Sequence, residues 1–317
     1  MSLSITSAIA SVDKKLGEII HEDLPILKEI KSYVIASGGK RIRPLLTFFL
    51  YQILGGKGKV WLIPAAVSEL IHSASLLHDD VVDQADTRRG RPTVAHRFGN
   101  KTAILSGDYL LACGIQALND LQNQELMDLY SQVLRDLSVS ELLQMEYECN
   151  PKITKDIYNR IIHGKTSSLF GACAVSAGIL LAKPTKEKKE LHKFGIQLGN
   201  FFQQNDDCLD YFTDSNSSGK VFLKDFRNGL YTYPILVLKQ LIPPKTQKKV
   251  DQLLSNNPKN DSDDQVILDL MEEFEVKKFL IQDQNSKRQE LQNYVKRLGN
   301  TSSTKLLLEQ LSTVGLR

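Results

Sequence analysis

The 317-residue chain has little that would mark a secreted, nucleic-acid-binding or membrane-spanning protein. Its four cysteines, Cys113, Cys149, Cys173 and Cys208, contain no Cys-x-x-Cys pair. That excludes a zinc ribbon or a thioredoxin-like motif and reads as reduced, buried thiols of a cytoplasmic protein. A net charge of only +3 leaves no basic footprint for nucleic acid. No apolar run reaches the ~20 residues of a bilayer span. The candidate, "SSLFGACAVSAGILLA" from Ser167 to Ala182, is too short and rich in small residues, as a tightly packed interior helix would be. The N-terminal "MSLSITSAIASVDKK" lacks the basic start and apolar stretch of a signal peptide.

Strand patterning is also nearly absent. Apolar residues recur at helical spacing almost everywhere, and the periodicity predicts helices over roughly 3–20, 23–37, 43–54, 62–84, 101–120, 124–148, 154–181, 187–212, 230–241, 245–255 and 264–299. With no repeat and no composition shift, the expectation is an all-α chain forming a single domain over residues 1–317.

What the chain does have is aspartate in apolar surroundings. "LLHDDVVDQADTRRGRPT", residues 76–93, places Asp79, Asp80 and Asp83 near the end of a predicted helix. "FFQQNDDCLDYF", residues 201–212, repeats the DDxxD spacing with Asp206, Asp207 and Asp210. Residues three and four apart share a helix face, so each trio projects together. Two carboxylates at about 6 Å in an effective dielectric near 20 repel by roughly 3 kcal/mol, and the flanking leucines, valines and phenylalanines give them little solvent. A counter-charge is required. Magnesium fits best, since it takes one or two carboxylates per ion and completes its shell with water and phosphate oxygens. Calcium would want a glycine-bearing loop, and zinc would want His or Cys. A lone acidic helix end would read as solvated surface; two copies point to a shared metal site.

Cations for phosphate follow. "SGGKRIRP" offers Lys40, Arg41 and Arg43 after a glycine turn, "TRRGRPT" offers Arg88 and Arg89, "HGKTSS" offers Lys165 with Thr166, and "SSGK" offers Lys220. Arginine presents a planar fork to phosphate oxygens and lysine a point charge. Together they suffice for two diphosphates. On the helix of the first trio, Ala74 and Ser75 are small and lie one turn before Asp79, with Ile71 a further turn back. They would leave room for a hydrocarbon chain descending about 5.4 Å per turn, or they are ordinary small residues at a helix contact.

"GGKRIRPLL", "SLLHDDVVDQADTRRGRPT", "FGNKTAILSGDYLL", "GKTSSLF" and "QQNDDCLDYF" arrive in an order and spacing that resembles the trans-prenyl diphosphate synthase family, over about residues 36–235. The resemblance is greatest to medium- and long-chain members such as octaprenyl and heptaprenyl diphosphate synthases. It implies long, mostly antiparallel helices around a deep central cavity, the isoprenoid synthase fold. It implies magnesium-dependent head-to-tail addition of isopentenyl diphosphate to an allylic diphosphate, such as farnesyl or geranylgeranyl diphosphate. By motif, the six aspartates would bind three magnesium ions. Arg88, Lys165, Thr166, Gln203 and Lys220 would hold the allylic diphosphate, with Lys165 also serving catalysis. Lys40, Arg43, His72 and Arg89 would hold isopentenyl diphosphate. Ile71, Ala74 and Ser75 would set chain length. The resemblance also implies a dimer, homomeric or with a different subunit, and membrane contact only as product leaves.

Three positions depart from the family pattern. Leu223 stands where glycine is usual, Leu230 where a diphosphate-binding lysine is common, and Asn205 where an apolar residue precedes the second trio. They keep open a subunit of a heteromeric synthase that is weakly active alone. A terpene cyclase-like enzyme is the other alternative, disfavoured because a cyclase needs no second diphosphate pocket.

Overall fold

The computed structural model describes residues 4–21, 23–36, 39–212, 223–256 and 258–316. Among them the chain is almost entirely helical, as the patterning predicts. The helices are α1 (Ile5–Ile19), α2 (Pro25–Ala36), α3 (Ile42–Ile53), α4 (Leu62–Val82), α5 (Val94–Phe98), α6 (Asn100–Asp120), α7 (Gln124–Glu146), α8 (Lys155–Ile162), α9 (Ser168–Leu180) and α10 (Thr185–Phe212). Further helices span Lys224–Arg227, Tyr233–Leu241, Pro244–Ser255, Asp261–Glu273, Val276–Arg297 and Ser302–Ser312. Side-chain caps start several of them: Ser4 accepts from Ser7 N, Thr154 from Ile157 N, and Asn260 forms a capping box with Asp263.

The structure departs from the sequence expectation in several places, among them the short helices Val94–Phe98 and Lys224–Arg227, which no expected range covers. The stretch expected as one helix over 154–181 is α8, a π-helical turn (His163–Ser167) and α9. The stretch expected over 264–299 breaks at Phe274 and Glu275, the latter at φ 49°. A helix at Ser302–Ser312 follows where none was expected. Finally, two-residue strands Thr87–Arg88 and Arg91–Pro92 pair antiparallel, with Arg88 opposite Arg91. Their loop is Arg89-Gly90, at φ 52° and 74°. Positive φ at both loop positions is what the type I′ hairpin turn requires.

The described residues form two compact units. One comprises Met1–Leu134, Ala172–His192 and Thr301–Ser303, the other Arg135–Gly171, Lys193–Asn300 and Thr304–Arg317. In the first, α4 is buried almost all round by α6, α3 and α1. Its small side chains Ala65, Ala66, Ser68, Ser73 and Ala74 allow close helix approach. In the second, Cys208, Tyr211, Leu223, Phe226, Ile235, Leu238, Val250, Ile267 and Leu280 form the core. There the π turn crosses its neighbours at contact distance: a Cβ on Gly164 would lie 2.2 Å from Asp136 O, and one on Gly199 2.5 Å from Ser167 Cα.

Candidate active site

The first trio ends α4. Asp80 is buried and accepts from Arg88 Nε at 2.7 Å. Asp79 is half-buried and Asp83 exposed. The helix stops because Gln84 turns left-handed at φ 49°. Ala85 N then returns to Asp80 O at 2.9 Å, and Thr93 Oγ1 donates to Ala85 O at 2.7 Å. The Arg88–Arg91 hairpin is thereby held beside the aspartates.

His72 lies on the same stripe of α4, half-buried. Its imidazolium form is strongly disfavoured, first by burial and then by Arg43, Arg89, Arg88 and Arg41 around it. Of these four guanidiniums Arg88 is paired with Asp80, and Arg43 and Arg89 add positive charge to the same end of α4. Lys40 is exposed and Arg43 half-buried beside it. Arg41, one of the three cations expected to meet phosphate at this loop, does something else. Its side chain is 1% exposed, bonded to Glu69 at 2.5 Å and Asp13 at 3.0 Å and to the carbonyls of Val34 and Ile35. Arg41 ties α1, α2 and α4 together around the loop. Of the chain-length residues, Ile71 and Ala74 are fully buried, whereas Ser75 is half-buried with its hydroxyl donating to His72 O.

The second trio sits on α10 in the other unit. Asp206 is exposed. Asp207 is buried and accepts from Tyr158 Oη at 2.6 Å, Gln203 Nε2 at 2.8 Å and Tyr233 N at 3.2 Å. Burial pushes its carboxyl up to about 6, against those three donors, with Asp206 adding to the rise. Burial first, then Asp207, holds the Tyr158 phenol well above its ordinary value, so it stays a donor. Asp210 accepts from Lys224 N at 3.1 Å and Asp225 N at 2.9 Å, closing the start of the Lys224–Arg227 helix. Burial, then Asp207 and Asp210, push the Asp225 carboxyl up to about 8.

The substrate-binding candidates of this unit join the same network. Thr166 Oγ1 donates to Gln203 Oε1 at 2.6 Å, and Lys165 pairs with Glu141 at 2.9 Å. Lys220 lies outside the described residues. Tyr158, Glu141, Tyr233 and Asp225 escaped the sequence reading. Only Tyr158 carried a signal there, two turns before Lys165 on a helix whose polar residues cluster.

Leu223, in the place usual for glycine, adopts the left-handed φ of 56° while its side chain is fully buried. The backbone conformation that glycine favours is therefore kept. Asn205 is buried, and its Oδ1 has no hydrogen-bond partner among the described residues.

Among the described residues no three Asp, Glu, His or Cys side chains converge as a ready-made cage. Of the two trios, Asp83 and Asp206 are exposed and Asp79 and Asp210 half-buried, so one or two of these carboxylates could meet a hard cation whose shell phosphate oxygens complete. Among the described residues, no helix is long and apolar enough to cross a membrane.

Known proteins resemble this chain in sequence and in fold. A sequence model of the polyprenyl synthetase family matches residues 24–271. Octaprenyl diphosphate synthase of Escherichia coli is 36% identical over 228 residues, 72% of this chain and 71% of that protein. A decaprenyl diphosphate synthase from Rhodobacter capsulatus superposes with a TM-score of 0.89 at 30% identity, covering 98% of this chain and 95% of the other. Heptaprenyl diphosphate synthase from Staphylococcus aureus does so with a TM-score of 0.91 at 26% identity, covering 98% of each. The paired aspartate motifs and the basic residues near His72 thus sit in a chain that belongs to the polyprenyl synthetase family, whose members are prenyltransferases.

Proposed function

We propose that the chain adds isopentenyl diphosphate head to tail to an allylic diphosphate and makes a medium- or long-chain all-trans polyprenyl diphosphate. The observation that carries this is a pair of complementary loci in the first unit: half-buried Asp79 and exposed Asp83 at the end of α4, which attract a cation, and the basic residues Arg43 and Arg89 near His72, which attract an anion. One suits a metal-bound diphosphate and the other a metal-free one, the two states in which an allylic substrate and isopentenyl diphosphate are held.

In this reading Asp79, Asp83, Asp206 and Asp210 would meet the magnesium ions directly, with Asp80 and Asp207 of the same trios behind them, three ions being the expected number. When bound, the ions supply Lewis-acid stabilisation of the leaving diphosphate. Asp80 and Asp207 act as positioning carboxylates, the one setting Arg88 and the other bracing the helix of Asp206 through Tyr158 and Gln203. Lys165 and Thr166, presented by the π turn, take the allylic diphosphate. Lys40, Arg43, His72 and Arg89 take isopentenyl diphosphate. The allylic C–O bond breaks with both electrons going to the diphosphate. The isopentenyl double bond attacks the resulting cation, and the new cation loses a proton to the departed diphosphate. Apolar side chains keep water from the cation.

A dimer is the assembly proposed, supported by large apolar side chains left exposed on α6 (Ile104, Leu105) and α7 (Leu142, Met145). The enzymatic reading is tested by incubating the purified chain with farnesyl and isopentenyl diphosphates and magnesium, with and without chelator. Chelator-sensitive products longer than the primer are expected, and their absence overturns it.

A further inference from the structure

We propose that isopentenyl diphosphate reaches its pocket through a basic vestibule between α2 and the 87–92 hairpin, where Lys28, Arg91 and Arg97 draw it in. This rests on the function proposed above.

Two hollows of the first unit share a rim. The inner one, of ≈ 200 Å³, sets Arg88, paired with the lining carboxylate Asp80, and Arg89, the one proposed isopentenyl-site residue in its wall, against the apolar side chains of Leu76 and Leu77. That is the chemistry of an amphiphile with a short hydrocarbon and a diphosphate. The outer one, of ≈ 590 Å³, is a broader groove carrying Lys28, Arg91 and Arg97 against a single lining carboxylate, Glu29. Tyr33, Ala36 and Arg91 line both, so the groove opens onto the inner cavity at that rim. Arg91 is fixed there, its Nη1 donating to Ala36 O at 3.0 Å.

The charge of the groove is local. Over the whole chain 40 basic residues nearly cancel 37 acidic ones, yet here cations outnumber the lining anion three to one. The Arg97–Glu29 pair (3.1 Å) is about half exposed, and Lys28 and Asp23 stand 3.9 Å apart in the open. With both carboxylates counted, the three cations still leave an excess of positive charge over the groove. A field of this kind concentrates an anion at the mouth of its site and fades with salt, the screening length being about 10 Å at 0.1 M and about 3 Å at 1 M. Lys28 and Arg97 line only the outer groove, so they act on approach and not on the bound substrate.

The test measures kcat/KM for isopentenyl diphosphate, and separately for farnesyl diphosphate, at low and high ionic strength. It compares the wild type with Lys28→Gln, Arg97→Gln, the double variant and Glu29→Gln. The double variant should lose roughly three- to tenfold in kcat/KM for isopentenyl diphosphate at low ionic strength, and at high salt the wild type should fall to the variant's value. Its kcat and its kcat/KM for farnesyl diphosphate should hold within about twofold, the scale of scatter for remote surface changes. Glu29→Gln should move the isopentenyl value the opposite way, which a folding defect would not do. If the wild type elongates farnesyl diphosphate but no variant alters the salt dependence, or both substrates lose equally, the vestibule is overturned and the enzymatic reading stands. If the wild type elongates nothing, both fall.

Discussion

Asp79 and Asp80 are neighbours with the same side chain and different work. Asp80 is buried against Arg88, whereas Asp79 meets solvent. Asp79→Asn should therefore lower turnover by about two orders of magnitude or more, the cost of losing a charge-stabilising group, with a melting temperature near wild type. Asp206→Asn should behave likewise. Wild-type turnover in either variant, measured at saturating magnesium and substrates, would remove that residue from the metal site. Tyr158→Phe is the contrasting case. It takes one donor from a buried carboxylate that has three, and hydrogen bonds to charged groups are worth about 1.5–3 kcal/mol. Denaturant titration should show a loss of that size, and turnover should fall through the displaced Asp206. A variant of wild-type stability would mean that water replaces the phenol.

At the scale of elements, the sequence displayed whatever is periodic and hid whatever packing imposes. The aspartate trios were legible because helical spacing alone brings i and i+4 together. The structural role of Arg41 was not, because Asp13 and Glu69 lie 28 residues to either side of it. The π turn was not legible either, since its residues read as ordinary helix until Gly164 meets α7. The break at Glu275 has no glycine or proline to announce it.

Leu223 shows how such local conflicts can be weighed. A left-handed residue with a Cβ costs about 1–2 kcal/mol, and burying a leucine side chain returns about 1.5–3 kcal/mol. Leu223→Gly relieves the first and loses the second, so it should destabilise only mildly, by about 1 kcal/mol. Leu223→Ala keeps the strain and loses the burial, and should cost more, about 2–5 kcal/mol for truncating a buried leucine. Glycine outperforming alanine reverses their order in an ordinary helix, and thermal melts of the two variants decide it. On α4 the same weighing separates the chain-length candidates. Ala74 is fully buried, so Ala74→Phe should mainly overpack the core at about 1–3 kcal/mol. Ser75 is half-buried on the stripe of Asp79, so Ser75→Phe should shorten the product and spare the first condensation. Product lengths unchanged in Ser75→Phe would show that the hydrocarbon does not pass that position.

At the scale of the whole molecule, the unexplained feature is apolar surface. Leu24, at 58% exposure, stands near the start of α2, and single exposed leucines need no partner. On α6 the situation differs. Ile104 and Leu105 are adjacent and 42% and 57% exposed, on a helix whose opposite side is already buried against α4. On α7 Leu142 and Met145, at 67% and 55%, stand one turn apart. Paired exposed side chains of this size mark surfaces that a partner covers, and a second copy of the chain is the simplest partner. Leu105→Glu would then bury a carboxylate among apolar atoms, at a cost of several kcal/mol, equivalent to at least a hundredfold in dissociation constant. Light scattering at micromolar concentration should find the wild type and Leu24→Glu as dimers and Leu105→Glu as a monomer with an unchanged helical spectrum. A wild type that is monomeric at that concentration, and elongates only when a different subunit is added, would replace the homodimer with the heteromeric assembly that Leu230 left open. A dimeric Leu105→Glu would move the interface off α6.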